Sequence, residues 1–458
     1  MARWARGSVI LLCLGLMACV QERPDGITGC GQFLYGYNTD ARADVRHLRG
    51  TPPNRFQFVA PDDPWFARNE DAFVDALVNA IGHIPARVPH TLNIISLSGG
   101  GQWGAYGAGF LNGWSRVDAA GWSPNDPVIP YLKRQDIDFV TGVSTGAMQT
   151  TLVLAGSADE AVNGIPAAEV RARADELLKQ SYLDPRIGRL ARQRNLLEAA
   201  LFHNSLYDVS GLERVVRRTA ADYLPVYEQL PPRKRAYVGT VDVDKGDFKV
   251  ADLKAMADAP ASSLEDARKS ACISESILAS AAIPIGFPPR FIERHMFVDG
   301  GTRLGLFSTI FLTHPKVQAA IQAANLKVYV SVIINGNQSS DSYKTRRTKV
   351  KNGLVDIAKA SMSNGIDQIY KDSVYRTEMD LRMAFPNGYF SRYTYVSNRE
   401  IRKSDAPDCI KSVRDQNEDE FDPTFMACLY KLGYDKALTG RKAWQLYDEI
   451  PAIAETQS

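Results

Sequence analysis

Ser144 lies in Thr141-Gly-Val-Ser-Thr-Gly146, with one glycine two residues before it and another two residues after it. That spacing suits a sharp strand-to-helix turn that holds a serine hydroxyl clear of the backbone, the arrangement of many acyl-transfer nucleophiles. A serine hydroxyl attacks an ester only if a base removes its proton, so a base must be found. Histidine is the usual one, and the chain has 6. His295, between Arg294 and Met296, reads as an exposed turn residue, and His314 in Leu-Thr-His-Pro is the one histidine after it. A Ser–His–Asp triad through His314, as in an α/β-hydrolase esterase, is one reading. Asp299 in Phe297-Val-Asp-Gly-Gly301 is another candidate, at a strand end, although Asp-Gly alone also describes an Asx turn. A third stretch, Ser98-Gly-Gly-Gly-Gln-Trp-Gly104, turns successive backbone N–H groups toward one point and could hold a phosphate or an oxyanion. It lacks the Lys-Ser/Thr ending of a nucleotide loop and the glycine spacing of a dinucleotide fingerprint.

These stretches need elements to position them. Thr91 to Leu97 reads as a strand running into the glycine turn, and 104–117 as a helix whose Ala105, Gly107, Ala108 and Gly109 permit close packing. Asp136 to Thr141 is a strand feeding the serine turn, with a buried helix over 147–155 behind it. Helical segments fill 166–221, strands 235–243 and 247–251 pair around Asp244-Lys-Gly246, and a helix over 263–282 ends at Ile283-Pro284. A short strand at 296–298, a strongly apolar strand at 326–334, a helix over 350–382, a strand at 392–396 and a helix over 424–448 complete the order. Alternation of strands and helices predicts an α/β fold, three-layer α/β/α with a mainly parallel central sheet.

The ordered motifs GGGxxG, GxSxG and DGG resemble those of the patatin-like phospholipase family, lipid acyl hydrolases with a Ser–Asp dyad. The run Ile277-Leu-Ala-Ser-Ala-Ala-Ile-Pro-Ile-Gly-Phe-Pro-Pro289 and the stretch from Leu97 to Gly109 are similar to it too. The resemblance covers 90–310 and extends through Phe421-Asp-Pro-Thr-Phe425 to Trp444. It implies that Ser144 is the nucleophile and Asp299 the base. The N–H groups of Gly99, Gly100 and Gly101 would form the oxyanion hole, and Gly142, Gly146, Gly300 and Gly301 would shape the two turns. Trp103 stands where many members carry Arg or Lys. The implied substrate is a phospholipid or another acyl lipid, with neither cofactor nor metal. A lone carboxylate is a weak base near pKa 4, but desolvation in an apolar cleft would raise it. An acyltransferase using the same acyl-enzyme, and a catalytically inactive lipid-binding envelope lipoprotein, are the other readings.

The N-terminus predicts a destination. Arg3 and Arg6 precede the apolar run Val9 to Leu16, too short for a membrane span and built like a secretory signal. Leu16-Met-Ala-Cys19 resembles the lipobox of bacterial lipoproteins, which implies a signal peptide over 1–18 and lipidation of Cys19. Val20 after the cysteine favours the outer membrane of the cell envelope by the same resemblance. Residues 19–65 then read as a tether and wrapping segment, and 66–450 as one acyl-hydrolase domain with motif core 90–310 and an extension over 340–450. In an exported chain Cys409 and Cys428 are the expected disulfide pair, and Cys272, in a helical stretch, a buried free thiol. No Cys or His cluster has metal-ligand spacing, and Asp242 and Asp244 read as a strand end and turn. A net charge of +2, without a basic run interleaved with aromatics, argues against a nucleic-acid partner.

Overall fold

Thr91–Leu97 is apolar at most positions, and all seven of its residues are buried, as expected for a strand covered on both faces. It is β2 in the computed structural model, which describes residues 23–37, 70–87, 89–118, 130–184, 186, 190–194, 203–336, 352–403, 409 and 421–450. With β1 at Leu34–Tyr37, the chain continues through β3 (Phe139–Val143), the short β4 (Arg192–Gln193) and β5 (Tyr207–Asp208), β6 (Arg235–Asp242), β7 (Asp247–Asp252), β8 (Arg290–Ile292), β9 (His295–Asp299), β10 (Lys327–Ile333) and β11 (Tyr389–Thr394). The sheet order is β1-β7-β6-β3-β2-β10-β11. From β6 to β11 every pairing is parallel, and β7, β1, β9 and β8 are antiparallel additions at the β6 end. The sheet is therefore mixed but mostly parallel, with helices on both faces.

One face packs the helices Gly104–Trp114, Thr145–Ala155, Ala167–Leu183, Ser210–Gln229 and Pro423–Leu438. The other carries Glu70–Gly82, Ser308–Leu312, Pro315–Ala323 and part of the long helix Leu354–Ala384. The small residues of Gly104–Trp114 have a specific partner. A methyl group on Gly109 would lie 2.0 Å from the Tyr430 carbonyl oxygen, so Pro423–Leu438 packs backbone to backbone against it. That helix stops at Leu438, ten residues before the end expected from periodicity, because Thr439-Gly440 turns the chain, with Gly440 at φ 63°. The helix expected over 263–282 is found at Asp266–Ser280, and a short helix the sequence reading did not include, Leu253–Asp258, precedes it, parted from it by Pro260.

The described part of the N-terminal segment is built into the sheet. β1 pairs along β7, and Ile27 bridges to Ile292. This path lays Cys30 against Asp266–Ser280, where it forms a disulfide with Cys272, Cα–Cα 5.4 Å. The expectation of a free thiol at Cys272 is thus corrected: its partner lies 242 positions away, beyond the reach of local pattern. Cys409 and Cys428 are bonded as expected. The signal segment and Cys19 lie outside the described residues. Among the described residues no helix is long and apolar enough to cross a membrane.

Candidate active site

The register of β6 brings the serine and the carboxylate together. β3 pairs with β6 only as far as Val143 opposite Gly239, and from the next residue β9 takes the same flank, with Asp299 opposite Thr240. Ser144 leaves β3 where Asp299 ends β9. The Ser144 hydroxyl stands close enough to the Asp299 carboxylate to favour its charged form, and Asp299 Oδ1 accepts the Gly301 N–H at 2.7 Å.

Ser144 holds φ 55°, ψ −122°, a conformation that a non-glycine residue rarely adopts unless its surroundings impose it. Ser280 helps to impose it, accepting the Ser144 N–H at 3.0 Å and donating to the Gly239 carbonyl at 2.5 Å. The glycines are there for close approach. A methyl on Gly146 would meet the Leu97 carbonyl oxygen at 2.3 Å, and one on Gly142 the Gly146 carbonyl oxygen at 2.4 Å. On the other turn, a methyl on Gly300 would lie 2.3 Å from the Gly239 carbonyl oxygen.

The glycine turn runs beside the serine: a methyl on Gly99 would lie 2.9 Å from Ser144 Cβ. Gly100 has φ 146°, open only to glycine, and is pressed against the Asn335 backbone. Asn335 braces the turn, donating from its backbone N–H to Ser98 Oγ at 2.9 Å and from its side-chain amide to the Ser98 carbonyl at 2.7 Å. No hydrogen bond from the N–H groups of Gly99, Gly100 or Gly101 is found among the described residues, so these donors remain open to an anion. Trp103 packs edge-on against Phe425 at 5.3 Å between ring centres. Sequence reading missed Ser280 and Asn335. Ser280 carried no signal in its Ala/Ser-rich helix. Asn335 had one, a polar residue just past the carboxyl end of a parallel strand, where sites of such sheets collect.

Both side chains of the pair are shielded, Ser144 at 3% exposure and Asp299 at 2%. Burial pushes the Asp299 carboxyl from 3.8 up to about 7, against the opposing pull of the Ser144 hydroxyl and the Gly301 N–H. The carboxylate is therefore a far better proton acceptor near neutral pH than an exposed aspartate. Gly101 and Thr145, the latter next to Ser144 in the chain, line an apolar cavity walled by Met148, Leu152, Leu178, Val216 and Ile277. Outside the cavity lining, the ring of Tyr370, from Leu354–Ala384, reaches toward Gly99, Gly301 and Gly305.

The histidines are elsewhere. His314 caps the helix Pro315–Ala323, its Nδ1 accepting the Lys316 N–H at 3.3 Å. His295 is not an exposed turn residue: it begins β9, and its side chain, 16% exposed, sets Nδ1 2.9 Å from Asp242 Oδ2. Antiparallel pairing folds the β9 start back over the end of β6, a contact invisible in the sequence. Among the described residues, Asp242, Asp244 and His295 are the group that could offer a metal three ligand atoms, all within 4.8 Å of one another. Arg23 already occupies Asp244, 2.9 Å from both carboxylate oxygens, and Asp242 Oδ1 accepts the Asp244 N–H at 3.0 Å, as a turn requires. This cluster lies two register positions beyond Asp299 and shares no ligand with the serine pair.

A search among curated proteins finds no match. Among solved structures, VipD from Legionella pneumophila is similar at 13% identity and TM-score 0.29, over 77% of this chain and 66% of that one, so the chain spans just under two thirds of its length. Residues 95–310, which hold the serine turn, the glycine turn and Asp299, match the family model described as patatin-like phospholipase, and their fold is the patatin-like one, a mostly parallel sheet between two helical layers.

Proposed function

We propose that the protein hydrolyses acyl esters of glycerophospholipids or related lipids through an acyl-enzyme on Ser144, with Asp299 as the base. The observation that carries this is a buried carboxyl, raised to about 7, beside a serine in a strained turn. The match to the phospholipase family model supports lipid acyl hydrolysis as the class of reaction.

In the first half-reaction Asp299 takes the Ser144 proton as Oγ bonds to the ester carbonyl carbon. The negative charge on the carbonyl oxygen is met by the open N–H groups of Gly99, Gly100 and Gly101, each good donor contributing about 3 kcal/mol. Collapse breaks the bond to the leaving oxygen, to which Asp299 returns its proton. In the second half, water gives a proton to Asp299 and attacks the acyl carbon, and the serine leaves with that proton. The acyl chain lies in the apolar cavity beyond Thr145. No step calls on a metal.

Incubation of purified protein with mixed phospholipids, with and without EDTA, should release fatty acid at equal rates. A fluorophosphonate probe should label the wild type and His314→Ala but not Ser144→Ala. Loss of labelling in His314→Ala alone would sink the dyad in favour of a triad, and undiminished fatty-acid release by Ser144→Ala would sink the nucleophile assignment. We also propose that lipidated Cys19 ties the enzyme to the bacterial envelope, raising the local concentration of lipid substrate. Cys19→Ser should move the protein from the membrane to the soluble fraction on cell fractionation.

A further inference from the structure

Leu354–Ala384 lies outside the residues that match the family model, yet it enters the site. A methyl group on Gly99 would lie 1.8 Å from the Tyr370 hydroxyl oxygen, and one on Gly301 would lie 2.6 Å from the same atom and 3.0 Å from Asp299 Oδ1. One phenol oxygen thus touches both turns that flank the serine. The helix is fixed there: Ser373 Oγ accepts the Gly305 N–H at 2.8 Å, Thr309 donates to Asp380 at 2.9 Å, and Gly305 approaches the Tyr370 ring so closely that a methyl would be 2.0 Å from Cδ1.

The two sides of Ser144 have different duties. The acyl side is the apolar cavity beyond Gly101 and Thr145. The leaving-group side must be that of Asp299, because its carboxyl returns the proton to the departing oxygen. Tyr370 stands on that side. A slim leaving alcohol passes beside the phenol, whereas one carrying a second long acyl chain has to displace it.

We propose that Tyr370 is the specificity-determining gate on the leaving-group side of Ser144, favouring single-chain acyl esters over diacyl phospholipids. This rests on Ser144 being the nucleophile. The steric body of the ring does the selecting, not its hydroxyl. The test compares kcat/KM for lysophosphatidylcholine and diacyl phosphatidylcholine in detergent mixed micelles. Wild type should favour the single-chain lipid by at least about tenfold. Tyr370→Ala should shrink that preference about tenfold, through a faster diacyl reaction, and Tyr370→Phe should keep it. Ser373→Ala, which loosens the helix without touching the site, should shrink it partly, and supplies the answer if Tyr370→Ala does not fold. The rate of Ser144 modification by a compact and a branched fluorophosphonate, read by intact mass, should follow the same order without any lipid. An unchanged preference in both Tyr370→Ala and Ser373→Ala would overturn the gate, as would Tyr370→Phe losing as much rate on both lipids as Tyr370→Ala. Those failures leave the wild type labelled at Ser144. Absence of labelling in every protein would instead overturn the nucleophile assignment, and the gate with it.

Discussion

On the proposed mechanism, the raised pKa of the buried Asp299 carboxyl makes activity and stability depend on pH in opposite directions. Asp299 can accept the serine proton only when ionised, so kcat/KM should fall about tenfold per pH unit below about 7, a slope that a pH–rate profile measures. The folded pKa lies above the unfolded one, so the native state holds a proton that the unfolded chain releases between 3.8 and about 7. This contribution to stability is complete below that window and is lost as pH rises through it. Asp299→Asn should cost about a thousandfold in rate and flatten the dependence of denaturation midpoint on pH over that window. An unaltered profile in the variant would assign the titration to another group. Ser280→Ala removes the acceptor of the Ser144 N–H, and should lower kcat about tenfold with little change in KM, because the loss falls on how the proposed nucleophile is held.

At the scale of elements, the site depends on strands that end and segments that return. The Cys30–Cys272 disulfide ties the N-terminal segment to Asp266–Ser280, the helix that supplies Ser280. It closes a loop spanning 242 positions, for which a chain-entropy estimate gives about 5 kcal/mol of stabilisation. Replacing both cysteines with alanine should lower the melting temperature by several degrees and remove most of the destabilisation that a reducing agent causes in the wild type. Calorimetry with and without reductant measures this. If the double variant melted with the wild type, the covalent tie would contribute nothing to the fold.

At the scale of the molecule, the cavity runs from Gly101 and Thr145 into the space between Thr145–Ala155, Ala167–Leu183 and Ser210–Gln229. Its walls are apolar, which suits a hydrocarbon chain, and its finite volume sets a limit on chain length. Leu152→Trp fills part of it from the helix that follows Ser144. The preferred acyl length should shorten by several carbons while activity on the shortest esters stays within about threefold, as a chain-length series would show. Equal loss at every length would point to a distorted elbow instead of a shortened cavity.

Much of this was legible in the sequence, because it is encoded over short distances. A GxSxG turn needs small neighbours on both sides of its serine, and a two-sided parallel strand needs the mainly apolar run of Thr91–Leu97. These demands act within a few residues, so Ser144, the glycine turn and the three-layer architecture could be read directly. Contacts that depend on how distant segments meet could not. Asp299 could be preferred over the histidines only by resemblance, since its approach to Ser144 is set by where β3 ends along β6 and β9 begins. The bond of Cys30 to Cys272, the pairing of His295 with Asp242 and the entry of Tyr370 between Gly99 and Gly301 likewise join distant segments. Local chemistry fixes which residues are able to react. Strand register and helix docking decide which of them meet, because each is a property of the whole packed chain and leaves no mark at either residue alone.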